Sequence, residues 1–283
     1  MKKHIILSVN DNPDYLFHVP LCVWAWRRLD WEPVLFFHGK KNRITELIQN
    51  THDEVMNEGM TAEMRISLYN LKIEFVKDIP GYPSETITQV SRLYGACVVN
   101  GYLMTGDIDM IPLSDYWKPN LDKLTVWGRD LTDYHYPICY IGAPARVWSD
   151  VMNLTSHDYQ MMITMDLQNT PQASSTDKIK RWVTDQDLIT ERINDSHYAP
   201  VRIDRGTDKR TGYPIGRVDR SAWSLDHKQF IDAHLFHGIQ RDDDKLKKTL
   251  NLLHTVWPKE DWTWWLRYVK EFKKLCQRSQ FAR

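Results

Sequence analysis

Short apolar runs alternate with segments of helical period through the first half of the chain. HIILSV (4–9), PVLFFHG (33–39), LKIEFV (71–76) and YLMT (102–105) read as buried strands. Between them, YLFHVPLCVWAWRRL (15–29) reads as a helix entered through Pro20, and a polar helical stretch precedes the third strand. SETITQVSRLYGACVV (84–99) reads as a helix capped by Ser84, with Ile87, Val90, Leu93, Tyr94 and Cys97 at helical spacing. Further on, ICYIGA (138–143) predicts a strand and PARVWSDVM (144–152) a helix with proline at its first position. The polar run LQNTPQASSTDK (167–178) predicts a mobile loop, and IKRWVTDQDLITERI (179–193) one continuous helix. A loop-rich region from Arg202 to Trp223 precedes the short strand AHLFHG (233–238) and a helical tail.

Strands alternating with helices predict an α/β fold with a Rossmann-like, mostly parallel central sheet flanked by helices. Residues 1–240 are expected to form that domain and 241–283 a helical extension packed on it. In such sheets ligands gather at the carboxyl ends of the strands. There the first strand brings Ser8, Asn10 and Asp11, and YLMTGDIDMI brings Asp107 and Asp109.

Side chains alternate in an extended segment, so Asp107 and Asp109 are expected to converge on one side. Two converging carboxylates suit a hard divalent cation, Mn²⁺ or Mg²⁺, which can hold a diphosphate as it leaves. A solvated acidic turn is the structural alternative.

Composition narrows the field. Lys+Arg and Asp+Glu both number 37, so no excess of positive charge points to nucleic acid. The four cysteines are widely spaced, there is no CxxC pair, and no apolar stretch reaches membrane-spanning length, which together predict a cytoplasmic protein with free thiols. Twelve tryptophans and 13 tyrosines supply either core or faces for sugar packing. The tail carries Trp262, Trp265, Val269, Phe272 and Leu275 on one face among lysines, suited to packing on the domain or to a membrane surface.

The order of a strand ending in Ser8–Asn10, a helix carrying Arg92, GDIDMIP, CYIGA, WVTDQDLI and HLFHG resembles the nucleotide-sugar glycosyltransferases of the GT-A fold, nearest the family-8-like group. That resemblance implies a metal-dependent enzyme moving a sugar from a nucleotide-diphosphate donor, UDP-linked in expectation, to a hydroxyl of a saccharide or glycan acceptor. It implies Asp107, Asp109 and His237 as metal ligands, with His234 the competing histidine, and Arg92 against the nucleotide or phosphate. Ser8, Val9, Asn10, Ile108 and Gln186 would contact the donor, and Asp185 or Asp187 would be the catalytic base in an inverting reaction, with Asp130 behind them. The lysine the family carries after its histidine is absent from HGIQRDDDK, which leaves Arg241 or Lys245 for the diphosphate. Other readings of the same residues are a non-catalytic sugar- or nucleotide-binding protein and a haloacid-dehalogenase-like phosphohydrolase with Asp107 as nucleophile.

Overall fold

The structure is a computed structural model and describes residues 1–46, 70–128, 130 and 134–277. The polar helical stretch expected before the third strand lies largely outside these residues, as does the very end of the tail.

Four apolar runs form parallel strands: β1 (Lys3–Asn10), β2 (Glu32–His38), β3 (Lys72–Val76) and β4 (Tyr102–Thr105). β1 is the centre of this half, paired in parallel with β2 on one side and β4 on the other, and β2 carries β3 at the edge. Beyond β4 lie β6 (Thr125–Trp127), β7 (Ile141–Pro144) and β8 (Val201–Ile203), giving the order β3-β2-β1-β4-β7-β6-β8. Only β7 runs antiparallel to its neighbours, so the sheet is mixed and mostly parallel.

Both sheet faces are buried, as parallel strands require. Ile5, Leu7 and Val9 of β1 enter one apolar cluster with helices α1 (Pro13–Leu16) and α2 (Val19–Arg28), while Ile6 enters the other. The second cluster is built from helices α3 (Ser84–Ser91), α4 (Ala145–Val151), α5 (Tyr159–Asn169) and α7 (Thr184–Asp195), the last following a short helix α6 (Lys178–Trp182).

The C-terminal segment forms α8 (Asp243–Val256) and α9 (Thr263–Gln277). The apolar face of α9 is turned inward: Phe272 meets the Phe17 ring edge-on at 5.3 Å and the Tyr268 hydroxyl donates to the Phe17 carbonyl at 2.9 Å. Burying aromatic rings of this size contributes roughly 1.5–3 kcal/mol each. Every tryptophan except Trp182 and Trp223 is buried, so the aromatic excess is mainly core. Among the described residues no helix is long and apolar enough to cross a membrane.

Several local expectations change. Ser84 is the first residue of α3 and not its cap; its hydroxyl lies 2.9 Å from His38 Nδ1 and 3.3 Å from Asn10 Nδ2, tying α3 to the ends of β1 and β2. The helix expected to run to residue 99 tightens at Arg92 into a 3₁₀ segment, Arg92–Cys97, with a non-helical Tyr94. In ICYIGA only Ile141 onward is strand, and the loop expected at 167–178 contains the end of α5 and a 3₁₀ turn at Pro171–Ser174. The single helix over 179–193 is broken at Val183, whose φ of −99° and ψ of 7° separate α6 from α7.

A second, three-stranded sheet has the order β5-β10-β9, from β5 (Met110–Pro112), β9 (Arg217–Asp219) and β10 (Asp232–His234). Its register puts His234 opposite Met110 on one side and Asp219 on the other. Residues more than a hundred positions apart thereby meet at the end of β4.

Candidate functional site

The chain leaves the large sheet at Thr105 and enters the small sheet at Met110, so Gly106 to Asp109 form the joint between them. A side chain at Gly106 would place its Cβ 2.9 Å from Ile5 Cδ1, which explains the glycine. The Met110 amide donates to the Asp107 carbonyl at 3.2 Å, closing a turn. This corrects the sequence argument for convergence: the segment is not extended, and the two aspartates acquire different partners.

Asp107 accepts from Nη1 of Arg92, whose Nη2 donates to Asp185 Oδ2 at 2.5 Å. Arg92 also donates to the Gly106 carbonyl at 3.2 Å, and its side chain is only 6% exposed. Burial works against the Arg92 charge, yet Asp107 and Asp185 together hold the guanidinium above its ordinary range. Arg92 therefore braces two carboxylates and has little left to offer a phosphate. Burial pushes the Asp185 carboxyl up against the opposing pull of Arg92. Its Oδ1 is buried with no hydrogen-bond partner, while its side chain lines the cleft described below.

Asp109 is buried and gathers three nitrogens on Oδ2: Arg220 Nη1 at 2.8 Å, His237 Nε2 at 3.0 Å and His234 Nε2 at 3.4 Å. Burial alone would raise this carboxyl, but the hydrogen bond and the charge of His234 outweigh it and hold Asp109 well below the usual carboxylate range. His234 Nδ1 lies 3.1 Å from Asp219 Oδ2. Burial opposes its charge, but the two flanking carboxylates raise His234 to about 9, so it is protonated at neutral pH. Arg220 Nη1 is also 2.7 Å from His237 Nε2, a bond that requires Nε2 to be the acceptor, with the ring proton on Nδ1. His237 therefore cannot also donate from Nε2 to Asp109, and Arg220 is the shared donor between the two.

The arrangement can be tested against the divalent cation expected from the sequence. A metal needs the lone pairs of Asp107, Asp109 and His237 directed at one empty point. Here Asp107 is turned to Arg92, and a guanidinium nitrogen stands at hydrogen-bond distance from both Asp109 and His237. Among the described residues no group of three or more His, Cys, Asp or Glu is placed to hold a metal ion. As arranged, the donor set fits an arginine better than Mn²⁺ or Mg²⁺.

Around this cluster is an open cleft with a cavity of about 280 Å³ at the carboxyl ends of β1 and β4. Of the residues proposed from sequence, it brings together Ser8, Val9, Asn10, Arg92, Asp107, Ile108, Asp109, Asp185, Gln186 and His234. Asp187 is absent from its lining: its carboxylate lies 2.7 Å from His135 Nε2 and accepts from Gln172 Nε2 at 2.9 Å. Asp130 accepts the Arg205 and Gly206 amides and serves a loop. Arg241 is paired with Asp14, and Lys245 with the His237 carbonyl and Asp242.

The break at Val183 changes which residues of the expected helix are buried. A continuous helix predicts a stripe through Ile179, Trp182, Val183, Gln186, Ile189 and Ile193, and beyond the break only Ile189 and Ile193 of these are buried. Asp185, Leu188, Ile189 and Ile193 become the buried face, while Ile179 and Trp182 are exposed.

Sequence reasoning missed Arg220, Tyr15, Glu85, Gln89 and Trp182, all of which line the cleft. Tyr15 sets the edge of its ring against His237 at 4.6 Å. Arg220 carries no local signal, and only the register of the small sheet places it beside Asp109. No family model and no curated protein matches the chain.

Proposed function

We propose that the protein is a glycosyltransferase that moves a sugar from a nucleotide-diphosphate donor to a hydroxyl of a saccharide acceptor, on a GT-A-like scaffold. The observation that carries this reading is the cleft itself. It is lined by the end of β1, Ser8 to Asn10, by the Asp107–Asp109 turn, by the buried carboxylate of Asp185 and by Arg220. Polar main chain at a strand end suits a base and ribose, and a cation beside it suits a diphosphate. The sheet order, with its single antiparallel strand, agrees with such a scaffold.

Asp185 is the base in this reading. Burial raises its affinity for a proton, and its Oδ1 is left without a partner. The acceptor hydroxyl gives its proton to Asp185 Oδ1 while its oxygen bonds to the anomeric carbon. The bond from that carbon to the diphosphate breaks with its electron pair going to the diphosphate. Positioning the acceptor over the donor supplies much of the acceleration, and fixed positive charge at the leaving group supplies more. No step here runs through a metal.

The test is release of nucleoside diphosphate from UDP- and GDP-sugars in the presence of mixed oligosaccharide acceptors. Native protein is expected to turn over at least one donor, and Asp185→Asn to lose turnover by roughly a hundredfold or more while binding the nucleotide as before. Equal turnover by Asp185→Asn would remove Asp185 from the mechanism, and no turnover of any donor would remove the enzyme reading.

A further inference from the structure

Each aspartate of the GDID turn is matched by one arginine, and the two arginines are in opposite states. Arg92 is enclosed, with both terminal nitrogens committed to Asp107, Asp185 and the Gly106 carbonyl. Arg220 has a side chain 26% exposed and lines the cleft. Its Nη1 is held by Asp109, His237 and the Leu235 carbonyl, but among the described residues Nη2 and Nε have no protein partner. Its backbone is fixed as well, since the Arg220 amide donates to the His234 carbonyl at 3.0 Å. The result is a guanidinium anchored through one corner, with two of its three nitrogens free.

A planar guanidinium with two free nitrogens is matched to two oxygens of a phosphate, which it binds in a bidentate pair. The two nitrogens that the protein leaves unused face the cleft, where an incoming anionic acceptor can take the place of water on them. Anchoring through Nη1 removes side-chain freedom before the ligand arrives, which lowers the entropic cost of binding.

We propose that Arg220 is the cation that receives the diphosphate, held in place by Asp109 and His237, and that nucleoside diphosphates bind this cleft without a divalent ion. The inference rests on the nucleotide-diphosphate reading above. It gives the Asp109 carboxylate a different task from metal ligation: Asp109 positions an arginine. It also supplies the positive partner that the HGIQRDDDK segment lacks.

Isothermal titration of the full chain with UDP, GDP, CDP and ADP, in chelator and in Mn²⁺, tests it. The native chain is expected to bind one of them with an affinity in chelator within about threefold of that in Mn²⁺, a difference under about 0.7 kcal/mol. Arg220→Ala is expected to weaken binding roughly thirtyfold or more, and Arg220→Lys to weaken it less, since a lysine keeps the charge and loses the fork. Asp109→Asn is expected to weaken binding in the native background but not in the Arg220→Ala background, because it acts through that arginine. Binding that vanishes in chelator and returns with Mn²⁺ overturns the inference and leaves the nucleotide reading standing. Binding in chelator that survives Arg220→Ala, or additive losses from Asp109→Asn and Arg220→Ala, overturns it as well. If the folded native chain takes up none of UDP, GDP, CDP and ADP in either buffer, the nucleotide reading fails and this inference falls with it.

Discussion

Asp232 and Asp109 are both buried carboxylates that meet arginines in or beside the small sheet, but they complete the bonding to very different degrees. Asp232 is enclosed by two forks: Arg205 binds it through Nη1 and Nη2 at 2.9 and 2.6 Å, and Arg217 through Nε and Nη2 at 3.2 and 2.9 Å. Even Arg205 Nε is used, donating to the Ile215 carbonyl at 3.1 Å. Asp109 has one arginine, bound through a single nitrogen, with the ring nitrogens of His234 and His237 beside the same oxygen. The first cluster is closed and has a structural role. The second has the same chemistry with donors left over, and those donors face a cleft. An incomplete ion pair at a strand end is thus a better guide to function than the number of charges gathered there.

The largest effect should come from breaking the closed cluster. Asp232→Asn leaves two buried arginines without their counter-charge and is expected to cost about 3–5 kcal/mol, read from the shift in the chemical-denaturation midpoint. Asp109→Asn is expected to cost less, because Arg220 can turn toward solvent. Equal losses at the two positions would erase the distinction between a structural and a functional carboxylate.

A smaller effect separates the two sides of Asp109 itself. His18 is fully buried beneath the cluster with neither ring nitrogen bonded, and burial lowers it to about 4 from 6.5. Above pH 6.5 the ring is neutral in both folded and unfolded chains and contributes no pH dependence. Between 6.5 and 4 the unfolded chain takes up a proton that the folded chain refuses, so stability falls as pH falls and levels off below about 4. The full drop is about 3 kcal/mol. Urea titrations of native protein and His18→Phe across this range are expected to differ by that amount at the acid end. Parallel profiles would show that His18 charges freely and that the cluster above it is more open to water than its burial indicates.

Much of the scaffold was legible in the chain. Strands buried on both faces must be continuous apolar runs, and HIILSV, PVLFFHG and YLMT could hardly be anything else. The site was legible only where it lay within one such run: Ser8, Val9, Asn10 and the GDID turn could be placed because the strands before them could be. Arg220 could not, because it reaches Asp109 through a three-stranded sheet whose strands have three residues each, too short for a periodic signal. That Asp185 and not Gln186 is the buried residue of the pair on α7 has a similar origin. A helical stripe is a sound guide only while the helix is unbroken, and the turn at Val183 follows no proline or glycine that would mark it.

The central claim is that the cleft between β1 and the Asp107–Asp109 turn holds a nucleoside diphosphate, and its most direct test is a thermal-shift panel of UDP, GDP, CDP and ADP. A ligand present at a hundred times its dissociation constant stabilises the folded state by about 2.7 kcal/mol. The account predicts a rise of several degrees in melting temperature with at least one of the four, much reduced in Arg220→Ala. An unchanged melting temperature with all four would contradict it.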